Sequence, residues 1–342
     1  MLFFPTMHPP ILGGIVRWIE QAPARRGQQI GLLAQFPNQV DVYNWARGSR
    51  ANCYFIDFYR SVFPPTTSRR AYPRWRYFAL SHELADLYAI VWGVDVQPLP
   101  MPTNGLAGTL PSGAKSGLAD VVTVAIVGHT SILKGGRLLK DIVDATLRHH
   151  PKVHFNLHLS TNPETRALDE EFKEGSERLT IRRGYIPEAD LQRIVDDSDI
   201  VVLPYARQPY RLMASAIFTQ AAASGKTVVV PAGTHMHREL LCHGGGYVTF
   251  GEHSADAIVA ALSSAIAGIA GLAAAAGAAA PGYRARNSPR ACFEKVLDAF
   301  ADEPVPATSA LTSLASQTAT DPQASGSNST MREPERSKRN GI

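Results

Sequence analysis

The sequence predicts a doubly wound α/β fold, in which helices cover both faces of a parallel sheet. Residues 199–203 and 227–230 are short β-branched runs, and the amphipathic stretch between them ends at Gly225. Strand, loop, helix and strand in this order form the repeating unit of a parallel sheet. Residues 121–127 are a continuous apolar run, which is typical of a strand buried on both faces. Since such patterns alternate to residue 300, we expect one complete domain over residues 120–303.

The elements of this region follow from hydrophobic spacing, which repeats about every 3.6 residues in a helix and every two in a strand. Gly225 can take the left-handed conformation that often follows a helix. The predicted strands are 121–127, 153–159, 179–181, 200–203, 228–230 and 247–250. The predicted helices are 136–150, a polar surface helix over 162–177, a short helix around 191–195, and 212–223, 257–266 and 291–300.

The first hundred residues have less regular patterns. They predict strands at 30–33, 77–80 and 94–99, helices at 15–19 and 84–88, and a helix or strand at 54–59. A first strand–helix–strand unit with a glycine-rich turn is not visible, and the segment is too short for the usual six strands. We therefore expect residues 1–102 to form an incomplete N-terminal α/β domain.

Two segments have no periodic pattern. Residues 103–119 are rich in Gly, Ser, Thr and Pro, which predicts a linker. Residues 304–342 contain few large apolar side chains, so they cannot bury enough surface to offset their ordering entropy. The predicted organisation is a partial domain over 1–102, a linker over 103–119, a complete domain over 120–303 and a disordered tail over 304–342.

The composition is that of an ordinary globular protein. The 342 residues are 45% apolar, with a net charge of +4 and a pI near 9.0. No dense basic run with interleaved aromatic residues argues for nucleic acid, and three cysteines fit a reducing compartment better than a disulfide framework. There is no convincing signal peptide, and the Ala- and Gly-rich stretch 255–280 is too weakly hydrophobic for a membrane span. We expect a cytoplasmic protein and leave peripheral membrane association open.

Four motifs lie in register over the predicted second domain. The first motif, residues 128–136, contains a Gly and a Lys-Gly-Gly sequence directly after a predicted strand, and the second, 184–191, begins with a Gly-Tyr-Ile turn. The third, 199–205, is a strand that ends in Pro-Tyr, and the fourth, 210–226, covers the start and length of the next helix. Together they resemble the nucleotide-sugar-binding half of the retaining GT-B glycosyltransferases of the family-four type. Residues 81–103 resemble the last helix and strand of that family's acceptor domain.

The resemblance implies a GT-B fold and transfer of a hexose from a nucleotide diphosphate sugar to a glycan or other acceptor, with retention. It implies no cofactor and no metal, and its partners would be the nucleotide sugar and a carbohydrate acceptor. Lys134 takes the position of the family's catalytic lysine, which stabilises the leaving diphosphate. The donor-site positions it implies are Gly128, His129, Lys134, Gly184, Tyr185, Ile186, Tyr205, Tyr210, Ser215 and Gln220.

Three departures from the family pattern weaken this implied activity. His129 stands where the family has a pyrophosphate-binding Arg, Leu212 where it has an acidic residue, and Gln220 where it has a ribose-binding Glu. A Gln carbonyl still accepts a hydrogen bond, at a loss of roughly 1 kcal/mol. A lost transition-state donor costs about 3 kcal/mol. The alternative is therefore a degenerate glycosyltransferase-like protein that binds a nucleotide or a partner without turnover.

Plainer interpretations stand beside these. Taken alone, Lys134 is a solvated lysine, Tyr205 and Tyr210 are packing residues, and Ser215 and Gln220 are polar residues of a helix. An NAD-dependent oxidoreductase is disfavoured because no G-x-G-x-x-G follows a predicted strand. A metal site in the histidine-rich segment 235–243 is disfavoured because no carboxylate pattern completes it.

Overall fold

The structure, a computed structural model, describes residues 2–4, 18, 21, 29–34, 74–103, 121–160, 166–173 and 176–301. Met1–Asp302 form one compact unit, and a second unit, Glu303–Ile342, lies outside the described residues. The predictions for 15–19, 54–59, the linker 103–119 and the tail 304–342 fall wholly or largely outside these ranges and stay predictions.

Within the described ranges, the first sheet has four parallel strands in chain order. They are β1 Leu2–Phe4, β2 Gln29–Ala34, β3 Arg74–Ala79 and β4 Val96–Pro98. Helix α1, His82–Trp92, joins β3 to β4 and ends at Gly93, whose φ of 69° is left-handed. Strand β1 is not predicted from the sequence, because three apolar residues before a run of prolines carry no period.

The second sheet has six parallel strands in the described part of the chain. They are β5 Val122–Ile126, β6 Val153–Leu159, β7 Leu179–Arg183, β8 Ile200–Val202, β9 Thr227–Pro231 and β10 Tyr247–Phe250. Their spatial order is β10-β9-β8-β5-β6-β7, so the strand order reverses between β5 and β8. The predicted doubly wound parallel fold is confirmed. Ligands of such sheets bind beyond the carboxyl ends of the strands at this reversal, the switch point.

The α-helices described after β5 cover both faces of the second sheet, except the last, which packs against the first sheet. They are α2 Leu139–His149, α3 Arg166–Glu171, α4 Glu188–Asp196, α5 Arg207–Tyr210, α6 Ala216–Ala223, α7 His235–His243, α8 Ala255–Ala267, α9 Ile269–Arg286 and α10 Pro289–Ala301. Alternation along β5 sends Val124 into a core with α2 and α8, and Ala125 into a core with α4 and α6. Each layer thereby buries its own apolar side chains.

Two predicted helices have different bounds in the structure. The helix predicted over 162–177 ends at Glu171; its described part is Arg166–Glu171, and it is anchored by the buried Leu168. The helix predicted over 212–223 begins only at Ala216, after the separate turn Arg207–Tyr210. Ser215 starts this helix as its N-cap, and the backbone before it is used in hydrogen bonds to other elements.

The Ala-rich stretch forms two helices rather than one. Helices α8 and α9 meet at Gly268 with a bend of 85°. Among the described helices, none is long and apolar enough to cross a membrane alone, whereas α8 and α9 taken together meet that length and composition.

Helix α10 packs against the first sheet although it follows the second in sequence. The Arg76 Nε donates to the Ala299 carbonyl at 2.6 Å, and the Cys292 thiol donates to the Pro100 carbonyl at 3.2 Å. Val296 joins Phe78 in a shared apolar cluster. Because α10 follows the second sheet in the chain and packs on the first, it holds the two sheets against each other.

Candidate functional site

The loops after β5 and β8 meet at the switch point. Gly135 has a φ of 79°, and a Cβ there would overlap the carbonyl oxygen of Pro204 and lie 2.9 Å from its Cβ. The Ala206 N–H donates to the Leu133 carbonyl at 2.8 Å, and the His253 Nε2 donates to the Pro204 carbonyl at 2.9 Å. Only glycine allows this close approach, so the Lys-Gly-Gly motif fixes the loop over the end of β8.

Lys134 lies where these two loops meet, and its charged group is largely removed from water. Its Nζ is 5.4 Å from the centre of the Tyr205 ring, at cation–π distance. Burial lowers the pKa of Lys134 below its ordinary value of 10.5. No carboxylate among the described residues pairs with it. An anionic ligand would compensate the charge of this half-buried ammonium, which has no counter-charge of its own.

Tyr205 and Tyr210 form the floor beneath Lys134. Their ring centres are 4.4 Å apart, and both side chains are buried in the core that includes α6. Burial raises the pKa of Tyr205 to about 12, against a smaller opposite effect of the Ser215 hydroxyl. Burial also raises the pKa of Tyr210. The two rings lie in contact with each other and pack in the core, and their role in donor binding stays a prediction.

The N-terminus of α6 faces the end of β5. The Ser215 hydroxyl accepts the Phe218 N–H at 3.3 Å and so caps the helix. Gly128 has a φ of 105°, and a Cβ there would lie 3.0 Å from Cγ1 of Ile217 in the first turn. The positive end of the helix dipole is therefore close to the loop after β5, an arrangement that favours a bound anion.

Gln220 is buried inside α6 with an unused acceptor. Its side chain is 5% exposed, and its Oε1 accepts no hydrogen bond from any described residue. A buried acceptor without a donor destabilises a protein by about 1–3 kcal/mol. A ligand hydroxyl would supply the missing donor, which is the role that the resemblance implies for this position.

A polar network ties the ends of β5, β6 and β7 together. The His158 Nε2 donates to the Gly184 carbonyl at 2.7 Å, and the Gly184 N–H donates to the Leu159 carbonyl at 3.0 Å. The Thr130 hydroxyl donates to the His158 carbonyl at 2.8 Å. Gly184 has a φ of 78°. The network presents Tyr185, which is 88% exposed, at the end of β7, which is separated from β5 by β6. Nothing in the sequence patterns indicated the role of His158.

Tyr185 borders an open depression of about 450 Å³. Its lining includes Ile186, three arginines (Arg182, Arg183 and Arg193) and two aspartates, Asp190 and Asp197, of which Asp190 forms an ion pair with Arg193. An exposed aromatic ring among guanidinium groups can stack on a base while the charges attract phosphate. His129, in the loop after β5, is exposed and makes no contact that assigns it a role among the described residues.

The first sheet closes the other side of the site through residues that sequence analysis did not single out. The Ser81 hydroxyl donates to the Leu212 carbonyl at 2.7 Å. The Glu83 carboxylate forms an ion pair with Arg238 and lies 3.4 Å from Nδ1 of His235. Burial acts to raise the pKa of Glu83, but these partners outweigh it and hold the pKa at about 2. We call the Ser81, Glu83, Leu212, His235 and Arg238 contacts the junction clasp.

The structure thus brings most of the predicted residues to one edge of the second sheet. Gly128, Lys134 and Ser215 surround the switch point, and Gly184, Tyr185 and Ile186 follow β7, two strands away from β5. In the described part of the chain, no three His, Cys, Asp or Glu side chains are placed to hold a metal ion.

Several solved structures are similar to this chain, and they include proteins described as glycosyltransferases. Sucrose-phosphate synthase from Thermosynechococcus elongatus is 15% identical with a TM-score of 0.63, covering 87% of this chain and 73% of its own. HepE from Anabaena, solved with UDP-glucose, is 14% identical with a TM-score of 0.57, covering 86% and 82%. WaaG, a glycosyltransferase of lipopolysaccharide biosynthesis, is 13% identical with a TM-score of 0.59, covering 84% and 81%.

Sequence comparison adds nothing to this, since no family model and no curated protein matches the chain. Identities of 13–15% show a shared fold alone. The two parallel sheets, the strand order of the second and these neighbours together establish that the chain has a GT-B-like fold.

Proposed function

We propose that this chain binds a nucleotide diphosphate sugar at the switch point and transfers its hexose to a glycan or other acceptor with retention. The observation that carries the proposal is Lys134, an ammonium withdrawn from water over Tyr205 and unpaired with any described carboxylate. It lies on the Lys-Gly-Gly loop at the one edge of the sheet where ligands of this fold bind.

In this proposal each wall of the site holds one part of the donor. Lys134 and the capped N-terminus of α6 face the diphosphate, the exposed Tyr185 stacks on the base, and Gln220 accepts a ribose hydroxyl. As the bond from the anomeric carbon to the diphosphate oxygen breaks, its electron pair passes to the diphosphate. Lys134 stabilises that charge, while the acceptor hydroxyl oxygen bonds to the carbon and its proton passes to the departing diphosphate oxygen. One such positioned donor can contribute about 3 kcal/mol in the transition state.

The neighbours support a nucleotide as the ligand class. HepE from Anabaena is solved with UDP, with UDP and glucose, and with UDP-glucose. Nucleotide binding is a property of HepE. Two features of this chain suit the same class of ligand, namely the unpaired Lys134 and the exposed Tyr185 among arginines.

The rival function is binding without turnover. His129 is exposed and stands where the resembled family has an arginine on the diphosphate, so the planar guanidinium that binds phosphate oxygens is missing. Leu212 presents its carbonyl to Ser81 and has no carboxylate to offer a donor sugar. These two residues lack the groups that would stabilise the transition state, whereas the residues expected to bind the donor at the edge of the sheet are retained.

A hydrolysis and transfer assay separates the two functions. Full-length chain is incubated with UDP-hexose and GDP-hexose donors, and release of the nucleoside diphosphate is measured for wild type, Lys134→Ala and Lys140→Ala. Lys140 is the matched control, because it lies on α2 and pairs with Asp144 outside the site. We expect release that falls at least a hundredfold in Lys134→Ala alone. Binding of donors without release would support the rival, and absence of both would contradict both functions.

A further inference from the structure

A second cavity lies between the two sheets, away from the predicted donor residues. Its volume is about 260 Å³, room for roughly nine water molecules at about 30 Å³ each. One wall comes from the ends of β3 and β4, residues 80–82 and 98–101, and the other from α6, α7, α9 and α10. Of the ten donor-site positions that the resemblance implies, none lines this cavity.

The charged groups around the cavity are mostly cationic. Arg286 and Lys295 line it together with the imidazoles of His82, His235 and His243, and Glu239 is the one carboxylate among the described lining residues. Burial lowers the pKa of His243, and the nearby Arg286 and His82 lower it further, against the effect of Glu239. The one carboxylate, that of Glu239, lies 3.8 Å from Nε2 of His243, so the Arg286 guanidinium has no carboxylate partner among the described residues and an anion beside it is favoured.

Arg286 has unused donors that are fixed in direction. Its guanidinium carbon lies 4.8 Å from the centre of the Tyr283 ring, which holds the plane of the group. Its Nη2 is buried and donates to no described residue, and its Nη1 makes only a long 3.4 Å contact with the Gly282 carbonyl. A planar guanidinium with free N–H groups matches the oxygens of a phosphate.

Asn287 adds an unmet acceptor next to this donor. Its Nδ2 donates to the Met101 carbonyl at 2.9 Å, which ties α9 to the end of the first sheet, while its Oδ1 is buried without a donor among the described residues. Leu99, Met101 and Phe218 supply an apolar wall. The cavity therefore offers cationic donors, one acceptor and apolar surface, which suits a phosphate carried on a small organic group with a hydroxyl.

We propose that this junction cavity binds a small phosphomonoester, with Arg286 and Lys295 contacting the phosphoryl oxygens and Asn287 accepting from a hydroxyl. The inference goes beyond the proposed function and does not depend on it. Because the two walls come from different sheets, an occupied cavity also stabilises the contact between them.

The test titrates inorganic phosphate, glycerol 3-phosphate and glycerol into the full-length chain by calorimetry, with melting temperature as a second readout. We expect saturable binding and a raised melting temperature with both phosphates and neither with glycerol. Tighter binding of glycerol 3-phosphate than of phosphate would identify an organic phosphate as the ligand, and equal binding would identify the free anion. Absence of saturable binding of both would overturn the proposal.

Three variants locate the bound anion. Arg286→Gln should weaken phosphate binding at least tenfold, whereas Arg290→Gln, one turn further along the chain, should leave it unchanged because that arginine is exposed and pairs with Glu294. Should Arg286→Gln not fold, Lys295→Gln on the exposed side of the cavity replaces it, with an expected loss of about threefold to tenfold.

Lys134→Ala separates this proposal from the proposed function. It should abolish nucleotide binding and leave phosphate binding at the junction cavity intact. If phosphate binding is instead lost in Lys134→Ala and retained in Arg286→Gln, the anion binds at the switch point and the junction cavity is not a phosphate site.

Discussion

Lys134 is the residue in which stability and function oppose each other. Its ammonium is held over Tyr205 with no described carboxylate to offset the loss of water, and burial lowers its pKa. A buried charge without a partner destabilises the folded state. Such a residue persists where a ligand supplies the missing charge, so its unfavourable position is itself an argument for an anion site.

Replacing Lys134 by Met should make the protein no less stable while removing anion binding. The folded-state pKa is lowered, so the folded state binds fewer protons than the unfolded state, and the destabilisation by the charge is fully present below the lowered pKa. Urea unfolding at pH 7 should give an unfolding free energy equal to or above that of wild type. A marked loss of stability would show that the ammonium has a structural partner.

The affinity for a nucleotide should fall as the pH rises through the lowered pKa of Lys134, because only the protonated form attracts the diphosphate. For an ordinary lysine this loss would come near pH 10.5. UDP titrations over a pH series should therefore show the loss at a lower pH than that. Affinity that stays constant up to pH 10.5 would contradict the role of a buried Lys134.

The cap at Ser215 should contribute both to stability and to binding. Ser215→Ala removes the hydroxyl that accepts the Phe218 N–H, so we expect a loss of about 1 kcal/mol in unfolding free energy and weaker UDP binding. Ser254 is a matched control, because it caps α8 in the same way with Ala257, away from the switch point. Ser254→Ala should lower stability by a similar amount and leave UDP binding unchanged. Equal binding losses in both variants would contradict the account.

For single residues, the sequence predicts where a side chain lies better than it predicts what that side chain contacts. Lys134, Tyr205 and Ser215 do lie together, because motifs at the carboxyl ends of parallel strands must meet. The burial of Tyr205 could not be predicted, since a tyrosine in a loop motif has the same pattern whether its ring faces a ligand or the core. His158 was missed because a histidine inside an alternating strand has no local signature.

At the scale of elements, the loop between β5 and α2 determines the geometry of the site. Gly135 allows backbone contact with the loop after β8, and every predicted role of Lys134 depends on that contact. The sequence predicts this loop through its glycines. The sequence misplaces the start of α6, because hydrophobic spacing continues through residues 212–214. In the structure the Leu212 carbonyl accepts a hydrogen bond from Ser81, and the helix begins only at Ala216.

Gly135→Ala should be far more damaging than Gly93→Ala. Both positions have a left-handed φ, 79° and 69°, so both substitutions introduce strain of about 1–2 kcal/mol. At Gly93 no other atom lies within 4 Å of the added Cβ, whereas at Gly135 the Cβ collides with Pro204, which adds about 1–3 kcal/mol. Thermal unfolding and UDP titration of both variants should show lost binding in Gly135→Ala only. Equal effects would mean that the loop does not rest on Pro204.

At the scale of the whole molecule, the two sheets meet through polar contacts and through the apolar cluster that α10 shares with the first sheet. The junction clasp joins the first turn of α1 to α7 and to the loop before α6, and α10 returns to the first sheet through Arg76 and Cys292. The sequence predicts the two α/β regions from alternating patterns. It cannot predict this junction, since ion pairs between residues 83 and 238 depend on how the sheets are placed.

Glu83→Gln should lower stability at neutral pH by about 2 kcal/mol, after allowance for solvent screening. The pKa of Glu83 in the folded protein is about 2, below its ordinary 4.5, so its contribution is present above pH 4.5 and is lost as the pH falls toward 2. The two proteins should therefore unfold with equal free energy near pH 2. Glu294→Gln, which breaks an exposed pair with Arg290, should change stability by less than about 0.5 kcal/mol. Similar losses in both variants would contradict the clasp.

The claim on which the rest depends is that the switch point of the second sheet binds a nucleotide through Lys134. Calorimetric titration of UDP into wild type, Lys134→Met and Lys140→Met tests it most directly. The account predicts saturable binding in wild type and Lys140→Met, and a loss of at least tenfold in affinity in Lys134→Met, whose fold is intact by urea unfolding. Undiminished binding in Lys134→Met would contradict it, and so would absence of binding of UDP and GDP to the wild-type chain.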